Sequence, residues 1–362
     1  MLKFQEAEKL FKNDKINELS KTADGLRYLK LRSLSRKDQM EFLINKADLD
    51  FGAASSREWL KLLYEAKLTE DLINLSIQEL YRTERSKRRA KEDNLINELY
   101  KVSSFDWGGL HQNSLEKTIV DNYVKKITSF DALSNAIDNE LHNSMRAYVL
   151  ASWYNHWTSI IIEDIFKDHK KVTPAIGLIK KIDFFVADKP FDLKVTYLPE
   201  GYVKDYRKSK KIKPELTLMK KAARDLQIGY EKDSPESFLL PDLWKKLDDH
   251  PSQIAFDLIR EITGYRDEIL DFAIKNPEHL ACWLYENQGV RRFDASNRLF
   301  LVLIDKANFF DSWKLKRAKP LIESEANKFL NGVGETSGFN LDFKWEGQKY
   351  KVETDIIFVV KR

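Results

Sequence analysis

Three polar side chains interrupt a pair of predicted strands that are otherwise apolar. Asp183 lies in the segment IDFFV, and Asp192 and Lys194 lie in the segment FDLKVTYL. Because side chains alternate along a strand, Asp192 and Lys194 point to the same face. Carboxylate oxygens are the ligands that Mg²⁺ prefers, and a bound divalent ion polarises a phosphodiester and supplies hydroxide near neutral pH. The spacing therefore predicts a metal site on Asp183 and Asp192, with Lys194 orienting the attacking water or neutralising charge on the phosphate.

The alternative is a half-exposed hairpin whose Asp and Lys side chains pair across the strands on the solvent face. The triplet alone is a weak signal, because similar triplets occur at Glu65-Ala66-Lys67, Asp168-His169-Lys170 and Asp342-Phe343-Lys344. Unpaired charges on a buried strand are costly, so a chain keeps them only where they are used or paired. The apolar context of the hairpin favours the catalytic interpretation.

With these residues, the hairpin resembles the PD-(D/E)xK motif of type II restriction endonucleases and related DNA-cleaving enzymes. The resemblance covers most of residues 150 to 310: a helix, a strand with Asp183, a strand with Asp192 and Lys194, a helix-rich segment and the apolar strand at Leu299. Ile182 stands where the motif has Pro, and Asp192 takes a position often held by Glu. The resemblance implies Mg²⁺ as cofactor, with Mn²⁺ able to substitute, and double-stranded DNA as substrate. It is compatible with a homodimer that cuts both strands.

Enzymes of this group often add a carboxylate from the helix that precedes the first catalytic strand. In this chain the segment TSIIIEDIF carries Glu163 and Asp164. On a helical wheel Asp164 falls near the apolar face, and Glu163 lies at its edge. We favour Glu163 as a further catalytic residue, either a metal ligand or a metal orienter, because its longer side chain reaches from the rim of the helix. Either carboxylate could instead be solvated.

A basic stretch follows the predicted catalytic strand, from Lys204 to Arg224, with Tyr202, Tyr206 and Pro214 interleaved. Its pattern predicts irregular structure. Contacts from such residues to DNA phosphates supply affinity and register but no sequence information. We assign such contacts to Lys204, Arg207, Lys208, Lys210, Lys211, Lys213, Arg291 and Arg292. A flexible charged loop is the alternative. A second basic run, from Arg82 to Arg89, is explained by a solvated helix face.

The elements that must position these residues follow from the hydrophobic pattern. Helical periodicity dominates to about residue 130. Strands are predicted at Ile179–Ala187, Phe191–Leu198, Arg298–Ile304, Leu341–Trp345 and Tyr350–Val360, with a turn at Asp188-Lys189-Pro190. We therefore expect an α/β (α+β) fold: a restriction-endonuclease-like catalytic domain over residues 131–362, with a mixed central sheet flanked by helices. Residues 1–130 are expected to form a helical domain for recognition, dimerisation or support.

Composition argues against several other classes. Apolar residues make up 43% of the 362 residues, which is enough for a core, so the chain is not a disordered protein. Cys282 is the only cysteine, which excludes an intrachain disulfide and favours a reducing, cytoplasmic compartment. The sequence has no signal-peptide core and no apolar run of membrane-spanning length. It also lacks a Walker-type glycine loop, a zinc-spaced Cys/His set and a Gly-x-Ser-x-Gly elbow. The net charge of +4 neither requires nor excludes nucleic acid.

These observations predict a Mg²⁺-dependent endonuclease that cleaves double-stranded DNA as a type II site-specific deoxyribonuclease. A repair or mobile-element nuclease would use the same chemistry. The alternative from another class is a non-catalytic, nucleic-acid-binding scaffold whose long helices mediate contacts. Should the hairpin prove inactive, the next candidates are Asp342, Lys344, Glu353 and Asp355 on the predicted terminal hairpin.

Overall fold

The computed structural model describes residues 2–103, 119–177, 179, 181–287, 297–333, 338–345 and 348–362. The helices in these ranges are α1 (Phe4–Lys12), α2 (Ile16–Leu19), α3 (Ala23–Arg32), α4 (Lys37–Lys46), α5 (Trp59–Glu65), α6 (Glu70–Tyr100), α7 (Phe130–Ala136), α8 (His142–Lys167), α9 (Glu200–Ser209), α10 (Glu215–Asp225), α11 (Glu236–Asp248), α12 (Gln253–Lys275), α13 (Pro277–Asn287) and α14 (Lys319–Gly332). Short π-helical segments occur at Val120–Val124 and Ile137–Leu141, and a 3₁₀ segment at Phe309–Arg317. Within the described ranges, no helix combines the length and the apolar character that crossing a membrane requires.

The strands are β1 (Val172–Pro174), β2 (Phe184–Val186), β3 (Lys189–Tyr197), β4 (Asn297–Asp305), β5 (Phe339–Trp345) and β6 (Gln348–Lys361). They form one mixed sheet in the order β1-β2-β3-β4-β6-β5. β4 runs parallel to both of its neighbours, β3 and β6, and the other pairs are antiparallel. The sequence of β4, NRLFLVLID, is the nearly continuous apolar run that is typical of a strand buried on both faces. The predicted mixed sheet with flanking helices is confirmed.

Helices cover both faces of this sheet. On one face, buried side chains of α8 and α14 pack with strand residues in a single cluster that includes Ile162, Phe166, Phe184, Leu193, Leu299, Leu301, Ile322 and Leu330. On the other face, Tyr285 of α13 packs against Phe300 and Phe343, with ring centroids 5.4 and 5.3 Å apart. Burial of each large apolar side chain contributes roughly 1.5–3 kcal/mol relative to exposure. The sheet is therefore the rigid element from which site residues project.

The N-terminal helices share a core with the segment that leads into β2. Leu29 of α3 and Ile73 and Ile77 of α6 belong to one buried cluster with Ile182 and Phe185. The chain divides into a first compact unit of residues 1–93, 161–199 and 272–362 and a second of residues 94–160 and 200–271. These units cross the predicted boundary at residue 130. The assignment of residues 1–130 to recognition, dimerisation or support stays a prediction, although the shared core makes support of β2 a physical role of these helices.

One strand was not predicted, and two local predictions were wrong. Val172–Pro174 forms the short edge strand β1, for which the sequence analysis predicted no strand. The hairpin turn lies at Ala187 and Asp188, whose φ angles of 46° and 64° are those of a two-residue type I′ turn, and Lys189 already belongs to β3. The basic stretch that follows β3 is not irregular, because it contains α9 and α10. In each case pairing or packing overrode a local preference.

The basic run from Arg82 to Arg89 also differs from the solvated face that its sequence predicted. Arg88 donates to both carboxylate oxygens of Asp164, from Nε at 2.8 Å and from Nη2 at 2.7 Å. The buried Arg85 pairs with Glu92 at 2.6 Å and with Asp168 at 2.9 Å. Because Asp164 is itself buried, these bonds satisfy a charge inside the first unit and tie α6 to α8.

Arg88→Met should lower the free energy of unfolding by about 3 kcal/mol, because it leaves the buried carboxylate of Asp164 without its two-pronged partner. Arg89→Met is the matched control: Arg89 is the next residue of the same helix and is exposed. Its substitution should change stability by less than about 0.5 kcal/mol. Urea unfolding followed by circular dichroism measures both variants. Equal stability of the two variants would show that Arg88 does not hold Asp164.

Candidate active site

Two hydrogen bonds hold Asp183 beside Asp192. Asp183 immediately precedes β2, and its backbone N–H donates to the carbonyl oxygen of Phe191 at 2.8 Å. Its side-chain Oδ2 accepts the backbone N–H of Leu193 at 2.7 Å. Since Phe191 and Leu193 flank Asp192 on β3, the structure brings the two predicted metal ligands together at the start of the hairpin.

Asp192 and Lys194 lie on the same face of β3, as their spacing predicted. Lys194 Nζ donates to Asp192 Oδ1 at 2.6 Å. Arg298 of β4 stands opposite Asp192 in the parallel register, and its Nε lies 3.8 Å from Asp192 Oδ2. Asp192 is 6% exposed and Arg298 is 2% exposed, whereas Lys194 is partly accessible. The carboxylate of Asp192 is thus held between a buried guanidinium and an ammonium group that solvent can reach.

Arg298 is a site residue to which the sequence analysis gave no role. Its guanidinium also lies over the ring of Tyr285, 5.0 Å from the ring centroid. The available signal was an arginine at the start of a strand that is otherwise apolar, where burial demands an acidic or aromatic partner. The identity of that partner depends on the pairing of β4 with β3, which the sequence pattern alone does not reveal.

Glu163 of α8 acts on Asp183 through its charge, whereas Asp164 is held by other partners. Glu163 Oε2 accepts a hydrogen bond from Lys167 Nζ, one helical turn away, at 2.8 Å. The negative charge of Glu163 raises the pKa of Asp183. Asp164 is bound by Arg88 and Tyr81. The choice of Glu163 over Asp164, and the role of Glu163 as ligand or orienter, stay predictions.

Asp183 is the carboxylate of this site whose pKa is raised. Burial, followed by the negative charges of Glu163 and Asp192, raises the pKa of Asp183 to about 6. The hydrogen bond from Leu193 and the charge of Lys167 oppose this rise. Among the residues that the structure describes, the Leu193 amide is the only hydrogen-bond donor to this carboxylate. Asp183 is therefore a half-buried carboxylate under the influence of two other negative charges, a condition that a bound cation would relieve.

The donor set has the chemistry that a hard divalent cation requires, because it offers oxygen atoms from Glu163, Asp183 and Asp192. In the described ranges, however, no three His, Cys, Asp or Glu side chains are arranged to hold a metal ion. The ammonium groups of Lys167 and Lys194 occupy oxygens of Glu163 and Asp192. Cation binding would therefore require these lysines to release their carboxylates.

The residues predicted to contact DNA differ in accessibility. Those that are exposed on α9 or just before α10 are Lys204, Lys208, Lys210, Lys211 and Lys213. Arg291 and Arg292 lie outside the described residues. Arg207 is only 1% exposed: its Nε donates to the carbonyl oxygen of Lys213 at 3.0 Å, and its guanidinium lies over the ring of Tyr265. The assignment of Arg207 to a phosphate contact was wrong, because the side chain is enclosed in the second unit.

The arrangement as a whole can gather positive charge around a buried carboxylate and present Lys194 to an anionic ligand. Comparison of the chain with known protein families, curated proteins and solved structures gave no match to any of them.

Asp183→Asn should stabilise the protein at about pH 8 by on the order of 2 kcal/mol, measured in chelator. The raised pKa means that the protonated carboxyl favours folding, so the wild type loses this stability as pH rises through about 6. The advantage of the variant should therefore shrink as pH falls through 6 and vanish near pH 4. Thermal unfolding across this range measures the difference.

Asp233→Asn, at an exposed turn position, is the control and should leave the pH profile of stability unchanged. A gain for Asp183→Asn that is constant with pH would show that the substitution acts through packing rather than charge.

Proposed function

We propose that this protein is a divalent-metal-dependent endonuclease that hydrolyses phosphodiester bonds of double-stranded DNA. The observation that carries the proposal is the carboxylate of Asp183: it is half-buried, its described hydrogen-bond donor is a single amide, and the charges of two further carboxylates act on it. Burying like charges together is costly for folding. A carboxylate set of this kind is favourable when it serves to bind a cation.

The roles of the residues follow from their positions. Bound Mg²⁺ or Mn²⁺ would supply a Lewis acid and a coordinated water of lowered pKa. Asp183 and Asp192 would provide oxygen ligands, and Glu163 a further ligand or an orienting contact. Lys194 is accessible at the edge of the cluster, where its ammonium would orient the water or stabilise charge on the phosphate. Arg298 would position Asp192 from the buried side.

The order of elements supports a finer proposal, that the core is of the PD-(D/E)xK type. Helix α8 with Glu163 is followed by Asp183 at β2, by β3 with Asp192 and Lys194, by helices α9 to α13, and by β4 parallel to β3. This is the order that the sequence resemblance implied. On that basis we propose a cytoplasmic, type II site-specific deoxyribonuclease, with a homodimer as the form that cuts both strands. The same site would serve a repair or mobile-element nuclease.

One observation favours the non-catalytic scaffold. Asp192 already has Lys194 at 2.6 Å and Arg298 at 3.8 Å, and a buried carboxylate so neutralised can be purely structural. A scaffold would bind nucleic acid equally with and without Mg²⁺ and leave it intact. Cleavage that requires the metal therefore separates the two functions.

Asp192→Asn and Lys194→Ala should each reduce Mg²⁺-dependent cleavage of mixed plasmid DNA by about a hundredfold or more, because each removes transition-state stabilisation. Lys189→Ala is the matched control, since Lys189 lies on the same strand, is exposed and pairs with Glu353. It should cut like the wild type. Gel electrophoresis measures the rates, and discrete bands or a smear distinguish a site-specific from a nonspecific nuclease.

Near-normal cutting by a folded Asp192→Asn variant would refute the assignment of this hairpin. The search would then move to Asp342, Glu353 and Asp355 on β5 and β6. Intact DNA after incubation of the wild type with Mg²⁺ or Mn²⁺, together with metal-independent binding, would support the scaffold.

A further inference from the structure

A strongly basic groove lies in the second unit, outside the residues assigned to the reaction. Its volume is about 800 Å³, and it is formed by α10, by Lys213 two residues before the helix and by the segment after it. Its cationic lining residues are Lys213, Lys220, Lys221, Arg224 and Lys232. Of the described residues that line it, none is acidic. We call this feature the α10 groove.

The positive charge of the α10 groove is not neutralised within the described part of the chain. Lys213, Lys220, Lys221 and Lys232 form no ion pair with a described acidic residue, and the ion pair of Arg224 is a 3.9 Å contact with its neighbour Asp225. Lys220 and Arg224 are also one helical turn apart, where like charges repel. Only one of these five cationic side chains has a described ion pair. Their combined positive potential favours the binding of an extended polyanion.

The backbone around the α10 groove is fixed from both sides. Arg207 donates to the carbonyl oxygen of Lys213 at 3.0 Å, and Lys246 Nζ donates to that of Gly229 at 3.0 Å. Helix α10 ends at Asp225, and Gln227, two residues later, has a φ of 58°. The N–H of Ile228 then donates to the carbonyl oxygen of Ala223 at 2.8 Å. This is a regular helix C-cap. The lining cations therefore project from an ordered frame rather than from a flexible charged loop.

Helix α10 is itself anchored by a buried ion pair at its start. Glu215, the first residue of the helix, accepts from Arg266 Nη2 of α12 at 2.6 Å, and both side chains are buried. Arg266 also donates to Glu200 of α9 at 2.8 Å. A buried, multiply bonded arginine of this kind fixes the relative position of the three helices. The groove wall is consequently preorganised, which lowers the entropic cost of binding.

The remaining lining residues suit a sugar–phosphate chain. Leu218, Ile228 and the half-buried Tyr230 provide an apolar floor, and Gln227 adds an exposed amide. Cations around an apolar and aromatic floor suit phosphates joined by sugars better than isolated anions, because the charges are spread along the groove.

We propose that the α10 groove binds the phosphodiester backbone of nucleic acid and is the main electrostatic contact of this protein with its substrate. The choice of nucleic acid as the ligand rests on the proposed nuclease function. The positive charge of the groove and its ordered backbone are observed independently of that function. The proposal moves the main contact from the exposed lysines of α9 to Lys220, Lys221, Arg224 and Lys232.

The test compares two triple substitutions that remove equal charge. The groove variant is Lys220→Gln, Lys221→Gln and Lys232→Gln, and the matched control is Lys208→Gln, Lys210→Gln and Lys211→Gln in and just after α9. Binding of a short fluorescein-labelled DNA duplex of mixed sequence is measured by anisotropy in EDTA over a range of salt concentrations. The groove variant should raise Kd by about tenfold or more, and the slope of log K against log salt should fall by up to about 0.9 for each phosphate that the protein no longer neutralises. The control should show a clearly smaller rise in Kd.

Equal rises in Kd for the two variants, with both folded by circular dichroism, would overturn the proposal, because the effect would then depend on net charge alone. Displacement of the duplex by polyglutamate as effectively as by unlabelled DNA would also overturn it, since the groove would not distinguish phosphodiesters from carboxylates. Added Mg²⁺ separates this result from the nuclease proposal. Groove-dependent binding without cleavage refutes only the nuclease, and cleavage with unaltered binding by the groove variant refutes only the groove.

Discussion

The parallel pairing of β4 between β3 and β6 is the constraint on which the first unit depends. Every residue of β4 is buried, so a slip of one residue would exchange the side chains that face the two helical layers and disrupt the packing on both faces. The same register sets Arg298 opposite Asp192. Helices α8 and α14 on one face and α13 on the other pack on a surface that exists only when this pairing has formed. The geometry of the candidate site is therefore a consequence of core packing rather than of local chain preference.

Carboxylates that are buried or half-buried serve in two different ways in this molecule. In the first way, an arginine of another helix donates hydrogen bonds to the carboxylate and so joins two helices. Arg88 does this for Asp164, and Arg266 does it for Glu215. Asp183 is different, because a backbone amide is its hydrogen-bond donor among the described residues and neighbouring carboxylates raise its pKa. The first arrangement resembles structural ion pairs, in which the protein supplies the cation. The second leaves the cation to be supplied from outside, which is the physical basis for assigning chemistry to the hairpin.

The sequence was informative where the relevant contacts are local. Asp192 and Lys194 share a face because strands alternate, and the apolar run at β4 was visible as a strand. It was uninformative where burial depends on a distant partner. In the sequence Arg207 resembles the exposed cations around it, and only the contacts with Glu215 and Tyr265 show that it is buried. The contact of Arg298 with Asp192 likewise depends on the pairing of β4 with β3. The packing of Ile182 with N-terminal helices was hidden for the same reason, and it is why the compact units do not follow the predicted domain boundary.

The interrupted path of the chain through the first unit has a consequence for biosynthesis. β3 ends at Tyr197, its neighbour β4 begins at Asn297, and the second neighbour of β4, strand β6, begins at Gln348. A chain emerging from the ribosome thus presents β4 with one hydrogen-bonding edge open until β6 has been translated. Sheets built from such distant segments fold slowly, and an apolar strand with an open edge readily joins the wrong partner. Productive folding of the first unit consequently waits until β6 has been translated, and nascent chains stalled between these two strands are the form most in need of a chaperone.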